Sequence, residues 1–203
     1  MSRSIGDKLR SVRLVGFRRS ARILVDRSFL SMLRKVYGFH PWHVDAPLSA
    51  RPYRHTVAEL VNDLAPRCVV EVGCGIGAIL SLVKAPERYG YDLDAGAIRA
   101  ARVLRDRRIA FVEGDFGSVD LAKIDVLIMV NWIHDISPER LEAWISPLLS
   151  RTSYLVVDAV DEAGPEGYRY KHDFGFLGPR ARRQRTTRVA SEGRDFLVFA
   201  VVR

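Results

Sequence analysis

Cysteine is scarce: Cys68 and Cys74 are the only two in 203 residues. Two thiols cannot build a disulfide framework, and they do not make a metal site. No run of about 18 uncharged apolar residues occurs, so no spanning helix is expected. The opening residues lack the basic, apolar, small-residue succession of a signal peptide. These absences point to a reducing cytoplasm. Internal repeats and low-complexity segments are also missing, so nothing interrupts the body of the chain.

What is present is ordinary for a globular protein, with 48% hydrophobic and 28% charged residues. The length suffices for one domain with a full core. The charge is unevenly placed. Residues 1–40 hold ten Lys/Arg against two Asp, and residues 41–203 hold 22 of each sign. The net charge of +8 therefore lies wholly in the N-terminal arm.

The most informative stretch is Val69 to Leu80, VVEVGCGIGAIL. Apolar residues lead into Glu71, and glycine follows at every second place: Gly73, Gly75 and Gly77. A strand, a glycine-rich turn and a helix start form a nucleotide-binding device, because glycine permits tight turning and close ligand approach. The helix start, over 78–84, offers unpaired N–H groups. Gly73-x-Gly75-x-x-Ala78 also fits the dinucleotide fingerprint, so a NAD-binding oxidoreductase is an alternative. A second apolar-aromatic segment ends at Asp92, 19 residues after Gly73. A carboxylate at that strand tip can accept both ribose hydroxyls.

The Glu-x-Gly-x-Gly-x-Gly series with its downstream acid resembles motif I of class I S-adenosylmethionine (SAM) dependent methyltransferases. The resemblance covers about residues 50–203. It implies a Rossmann-like three-layer α/β sandwich, with a seven-stranded, mostly parallel sheet closed by a C-terminal antiparallel hairpin. Glu71, Gly73, Gly75, Gly77 and Asp92 would then hold SAM, which leaves as S-adenosylhomocysteine (SAH). The family's acid after strand three contacts the adenine amino group; here that is Asp115, with Phe116 packing on the ring. A weaker likeness, in the Trp-His, Arg-Pro-Tyr and Glu-Val-Gly-Cys-Gly-x-Gly series, is to sugar O-methyltransferases of the methylmannose polysaccharide type.

The flanking segments follow in order. Residues 1–40 read as a basic amphipathic helical arm in two pieces, with breaks at Gly16 and Gly38. Such an arm is first a helix pair packed on the body with a solvated basic face; the alternatives are a homodimer contact, an acidic membrane surface and nucleic acid. Residues 41–203 form the SAM-binding domain. Its first part, 41–55, is proline-stiff and aromatic, and the resemblance implies a lid. Tyr53 is grouped with the cofactor contacts, and with His43 it is expected to line the acceptor side. A helix over 56–64 follows, capped by Thr56.

Strand four, Val126 to Val130, is an apolar run typical of a central parallel strand. Ligands gather at the carboxyl ends of such strands. Asn131 and Trp132 therefore border the methyl donor, and His134 and Asp135 stand where an acceptor arrives. Ser137-Pro138 marks a helix start. The aromatic loop 164–178 is expected to form the acceptor wall. Two alternating apolar runs, 184–190 and 195–202, form the closing hairpin. This feature separates a SAM enzyme from a dehydrogenase.

A hydroxyl acceptor must lose a proton, and a histidine suits that task. His134 is the first choice as general base and His172 the second. Mg²⁺ is not favoured: Asp135, Asp158, Asp161 and Asp173 are hard ligands near the right strand ends, but their order does not match the Asp…Asp-Asn set of catechol-type enzymes. The expected partner is a small hydroxylated molecule, such as a saccharide. An RNA N-methyltransferase would use the basic arm, yet the strand-four tip lacks the Asn/Asp-Pro-Pro-Tyr pattern of many amino-methylating enzymes. A catalytically silent SAM-binding protein is a further alternative.

Overall fold

The computed structural model describes residues 16–161 and 168–202. The first piece of the arm lies outside the described residues. The second is the helix α1, Phe17–Tyr37. Both breaks fall where glycine stands: Gly16 precedes the helix and Gly38 closes it in the left-handed conformation, its N–H bonded to Arg34 O. The lid region holds a single helical turn, α2, Trp42–Asp45, and a 3₁₀ turn at Leu48–Ala50. The next helix, α3, is Tyr53–Asp63. It starts at Tyr53, with Pro52 rather than Thr56 at the N-cap position, because proline's fixed φ suits a helix beginning.

Seven strands follow: β1 Cys68–Val72, β2 Glu87–Asp92, β3 Ile109–Glu113, β4 Ile124–Met129, β5 Thr152–Val160, β6 Ala181–Val189 and β7 Arg194–Val201. They form one sheet in the order β3-β2-β1-β4-β5-β7-β6. The first five are parallel, and β7 inserts antiparallel between β5 and β6. The expected hairpin is therefore present. A dinucleotide-binding sheet carries six strands in the order 3-2-1-4-5-6. The inserted β7 departs from that pattern.

Core packs on both faces, which is why β1 and β4 read as continuous apolar runs. On one face Val57 and Val61 of α3 meet Val69, Val126 and Val156. On the other, Leu141 and Ile145 of α5 (Pro138–Leu149) meet Val70, Leu127 and Val157. Ser137 caps α5 with its hydroxyl, 3.5 Å from Arg140 N. The edge strand β6 has Arg182, Arg183 and Arg185 exposed, which discourages edge-to-edge pairing.

Helix α1 is packed onto the body through α4, Ala95–Leu104. Leu30 joins a buried cluster with Phe39, Ile76, Ala97 and Ala100. Arg99 donates to Tyr37 O at 2.9 Å. The crossing is close at Gly96, where a Cβ would lie 2.6 Å from Tyr37 O and 2.8 Å from Phe39 N. Both are backbone atoms and cannot swing away. Gly96→Ala should therefore lift the end of α1 and cost about 1–3 kcal/mol, read from the denaturation midpoint; an unchanged midpoint would contradict this packing.

Candidate active site

A cavity of about 570 Å³ opens at the carboxyl ends of the strands, within the range that holds a small ligand. Its floor is the turn after β1. Gly73 (φ 75°) and Gly75 (φ 52°) are left-handed, where L side chains are strained. A Cβ on Gly73 would fall inside the Trp132 indole, whose Nε1 donates to Val72 O at 2.8 Å. A Cβ on Gly75 would lie 2.5 Å from His43 Cε1. Gly77 is different: it packs against Phe111, away from the cavity.

The helix expected over 78–84 does not form. Residues 74–82 make a succession of turns, with bonds such as Gly77 N to Cys74 O and Leu82 N to Ile79 O, both 2.9 Å. Gly77 sits at φ 69° and Pro86 follows closely, so too few residues remain for a stable α-helix. The floor thus offers individual N–H groups rather than a helix N-terminus.

Charge is arranged around this floor. Glu71 ends in the cavity wall, nearly fully buried, and its Oε2 has no hydrogen-bond partner among the described residues. Burial pushes its carboxyl up to about 8, against the pull of Arg54 and the Leu80 N–H. Arg54, which sequence reasoning missed, lines the same wall. Its guanidinium donates to Ala46 O at 2.8 Å and stands 5.5 Å from the centre of the Trp42 ring. Asp92 accepts from Gly75 N at 2.6 Å and from Asp94 N at 2.9 Å. Each of its oxygens keeps a further lone pair for a ligand.

The segment 41–55 does border the cavity, as a lid would. Trp42, His43 and Tyr53 all face it. Burial holds His43 below the usual histidine range, despite Asp92 and Asp94 nearby. Asp94 fastens the segment by accepting from His40 N at 2.7 Å while capping α4 through Ala97 N at 3.0 Å. On the strand-three side, Asp115 and Phe116 reach the cavity. Asp115 also caps its own turn, accepting from Gly117 N at 2.9 Å. Phe116 lies against Trp132 and Trp144, with centroids 5.6 and 5.8 Å away.

The strand-four tip corrects the sequence reading. Asn131, Trp132 and Asp135 line the cavity, but His134 does not. Its side chain is 0% exposed. Nδ1 lies 3.3 Å from Tyr170 O, and Nε2 lies 3.2 Å from Asp158 Oδ2 without hydrogen-bond alignment. His172 is likewise buried, donating from Nε2 to Ile133 O at 2.9 Å, with its pKa lowered by burial. The two rings pack against each other at 5.7 Å. Neither can meet an acceptor in the cavity. The aromatic loop mostly turns away from the cavity: Phe174 is buried against Phe199, Tyr170 is exposed to solvent, and only Tyr168 of the described loop residues faces the cavity.

The reason is a buried polar cluster. Arg194, at the start of β7, donates to Asp158 Oδ2 at 2.6 Å, to Asn131 Oδ1 at 2.8 Å and to the Tyr168 hydroxyl at 2.5 Å. Asp158 also accepts from Asn131 N at 2.8 Å. Asn131 thereby holds φ 82°, a conformation rare outside glycine. The turn at Trp132–Asp135 then aims Trp132 and Asp135 outward and His134 inward. The four aspartates named as oxygen ligands go separate ways: Asp158 binds Arg194, Asp161 binds Arg188, Asp173 caps Gly175, and Asp135 alone faces the cavity.

With these elements placed, the fold is the Rossmann-like class I methyltransferase sandwich. No protein-family model matches the chain, and no curated protein matches it. Solved structures do. An N-methyltransferase of Bradyrhizobium japonicum, NodS, in complex with SAH, is 15% identical with a TM-score of 0.67, over 85% of this chain and 98% of that one. A magnesium protoporphyrin IX methyltransferase of Synechocystis with bound SAH is 18% identical, TM-score 0.62, over 87% and 96%. A protein of Pyrococcus horikoshii is 15% identical, TM-score 0.64, over 81% and 100%.

Removing Arg194 strands a buried carboxylate. Arg194→Met should cost about 3–5 kcal/mol, measured by chemical denaturation. Adding Asp158→Asn should recover part of that loss; equal stability of Arg194→Met and the unchanged chain would rule out a buried ion pair.

Proposed function

We propose that this chain is a SAM-dependent methyltransferase that moves a methyl group to a hydroxyl of a small acceptor, such as a sugar or oligosaccharide. The observation that carries this reading is the cavity floor. It sets the Arg54 guanidinium and the buried Glu71 carboxyl beside the left-handed glycines and Asp92. A zwitterionic amino-acid end suits Arg54 and the unpartnered Glu71 oxygen, and a ribose suits Asp92. Asp115 and Phe116 stand where an adenine would rest. Two of the similar structures, the N-methyltransferase and the magnesium protoporphyrin IX methyltransferase, hold SAH, which supports the donor; they differ from each other in what they methylate, so they leave the acceptor to the cavity.

SAM, when bound, supplies a methyl group made electrophilic by its sulfonium. The chain's part is to align an acceptor oxygen and manage its proton. Trp132, Trp144 and Tyr168 give an aromatic wall, against which the apolar faces of a sugar ring can pack. Asp135 is exposed at the β4 end of the cavity, and it takes the hydroxyl proton in place of His134.

The test is transfer of labelled methyl from SAM to a panel of sugars, phenols and total RNA, with and without EDTA. Counts in a sugar or another hydroxyl acceptor are expected in both conditions. Asp135→Asn should lower the rate about a hundredfold with SAH affinity unchanged. Counts confined to RNA would overturn the acceptor class, and loss with EDTA would overturn Asp135 as the proton acceptor.

A further inference from the structure

Helix α1 has two apolar faces, and only one is used. Leu30, Leu33 and Tyr37 turn toward the body. Val25, Phe29, Met32 and Val36 turn away, with Val25 68% and Val36 70% exposed. Spaced at 4, 3 and 4 residues, these four fall within about 60° of helix arc, a quarter-turn or so from the packed face. Leu24 and Phe17 extend the exposed apolar surface at the N-terminal end.

The charge around this stripe is of one sign. Arg18, Arg19, Arg22, Arg34 and Lys35 are exposed on the same helix. Arg18, Arg22 and Lys35 make no hydrogen bond or ion pair among the described residues. The one acid of the helix, Asp26, is turned to the body and bound to the Ser49 hydroxyl. The preceding residues 1–15 add Arg3, Lys8, Arg10 and Arg13 against Asp7.

We propose that α1 is an interfacial helix, lying along an anionic lipid surface with Val25, Phe29, Met32 and Val36 seated among the acyl chains and Arg18, Arg22 and Lys35 on the headgroups. An amphipathic helix needs both halves of this pattern, an apolar stripe and a cationic border, to bind such a surface. A second copy of the chain would bring an equally cationic arm against this one, and the like charges oppose it. A nucleic acid would meet the arginines and leave the apolar stripe without a partner. Among the described residues no helix is long and apolar enough to cross a membrane, so the contact is peripheral.

The position of α1 gives the contact a consequence. Arg27 donates to Asp45 O at 3.0 Å and Arg34 to Phe39 O at 3.1 Å, so the helix is tied to the segment that roofs the cavity. Docking α1 holds that roof beside the lipid surface. This inference stands on the helix alone and does not depend on which reaction the cavity performs.

The test is flotation of the full chain with vesicles of phosphatidylcholine, and with vesicles of phosphatidylcholine and phosphatidylglycerol in equal parts. Binding is expected to the second and not the first, and to weaken with added salt. The double variant Phe29→Ser/Met32→Ser should bind about tenfold more weakly or worse, because it removes buried apolar surface. Arg18→Glu/Arg22→Glu should lose binding as well. All four positions are exposed, so circular dichroism and the melting midpoint of both variants should match the unchanged chain. The proposal is overturned by no vesicle binding, by equal binding to neutral vesicles, or by full binding of the Phe29/Met32 variant. Self-association abolished by that variant, or total RNA bound more tightly than the vesicles, would also overturn it.

Discussion

The ion pair of Asp158 and Arg194 lies beneath the cavity and joins parts of the chain that are far apart in sequence. Asp158 belongs to the last parallel strand, Arg194 to the inserted antiparallel one, and both hold Asn131 at the tip of β4. A charge pair with essentially no exposure is costly to bury, and further hydrogen bonds to its oxygens and N–H groups offset that cost. Here Asn131, Tyr168 and the paired groups supply most of them. The result is a rigid corner at the carboxyl end of the central strand, stacked further by Tyr53 against the Arg194 guanidinium, 5.0 Å from its ring centre.

That corner decides which side chains the cavity receives. Asn131 is held in a left-handed conformation, and the short turn after it rotates Trp132 over Gly73 and drops His134 into the interior. The glycine there is thus explained twice, by its backbone angle and by the indole that occupies the space of a side chain. The acid–base groups that face the cavity include carboxylates, His40 and His43, and not the buried histidine pair.

Much of this was legible in the sequence because it is local. Gly16 and Gly38 bound α1, Ser137 and Pro138 start α5, and the two alternating runs make the hairpin. The order of motifs placed Glu71, Asp92, Asp115 and Asn131 around one cavity. What failed depends on distant partners. No local pattern shows that His134 meets Asp158, or that His172 bonds Ile133 O across 39 positions. Arg54 was missed because an arginine in a helix start ordinarily reads as a solvated charge; its burial comes from Trp42 and Ala46 folding back on it. The helix drawn over 78–84 failed for a local reason, the left-handed Gly77 with Pro86 close behind.

In the proposed function, Glu71, Arg54, Asp92 and the glycine turn hold the amino-acid and ribose ends of SAM. Calorimetric titration of the full chain with SAH, and separately with NAD⁺, tests it most directly. In the free chain the Glu71 carboxyl, raised to about 8, is mostly protonated at neutral pH. A cationic amino group bound beside it lowers that value and expels the proton. The expected result is binding of SAH with proton release, seen as a heat that varies with the buffer, and no binding of NAD⁺. Binding of NAD⁺ in preference to SAH, or SAH binding that survives Asp92→Ala and Gly73→Ala undiminished, would contradict the account.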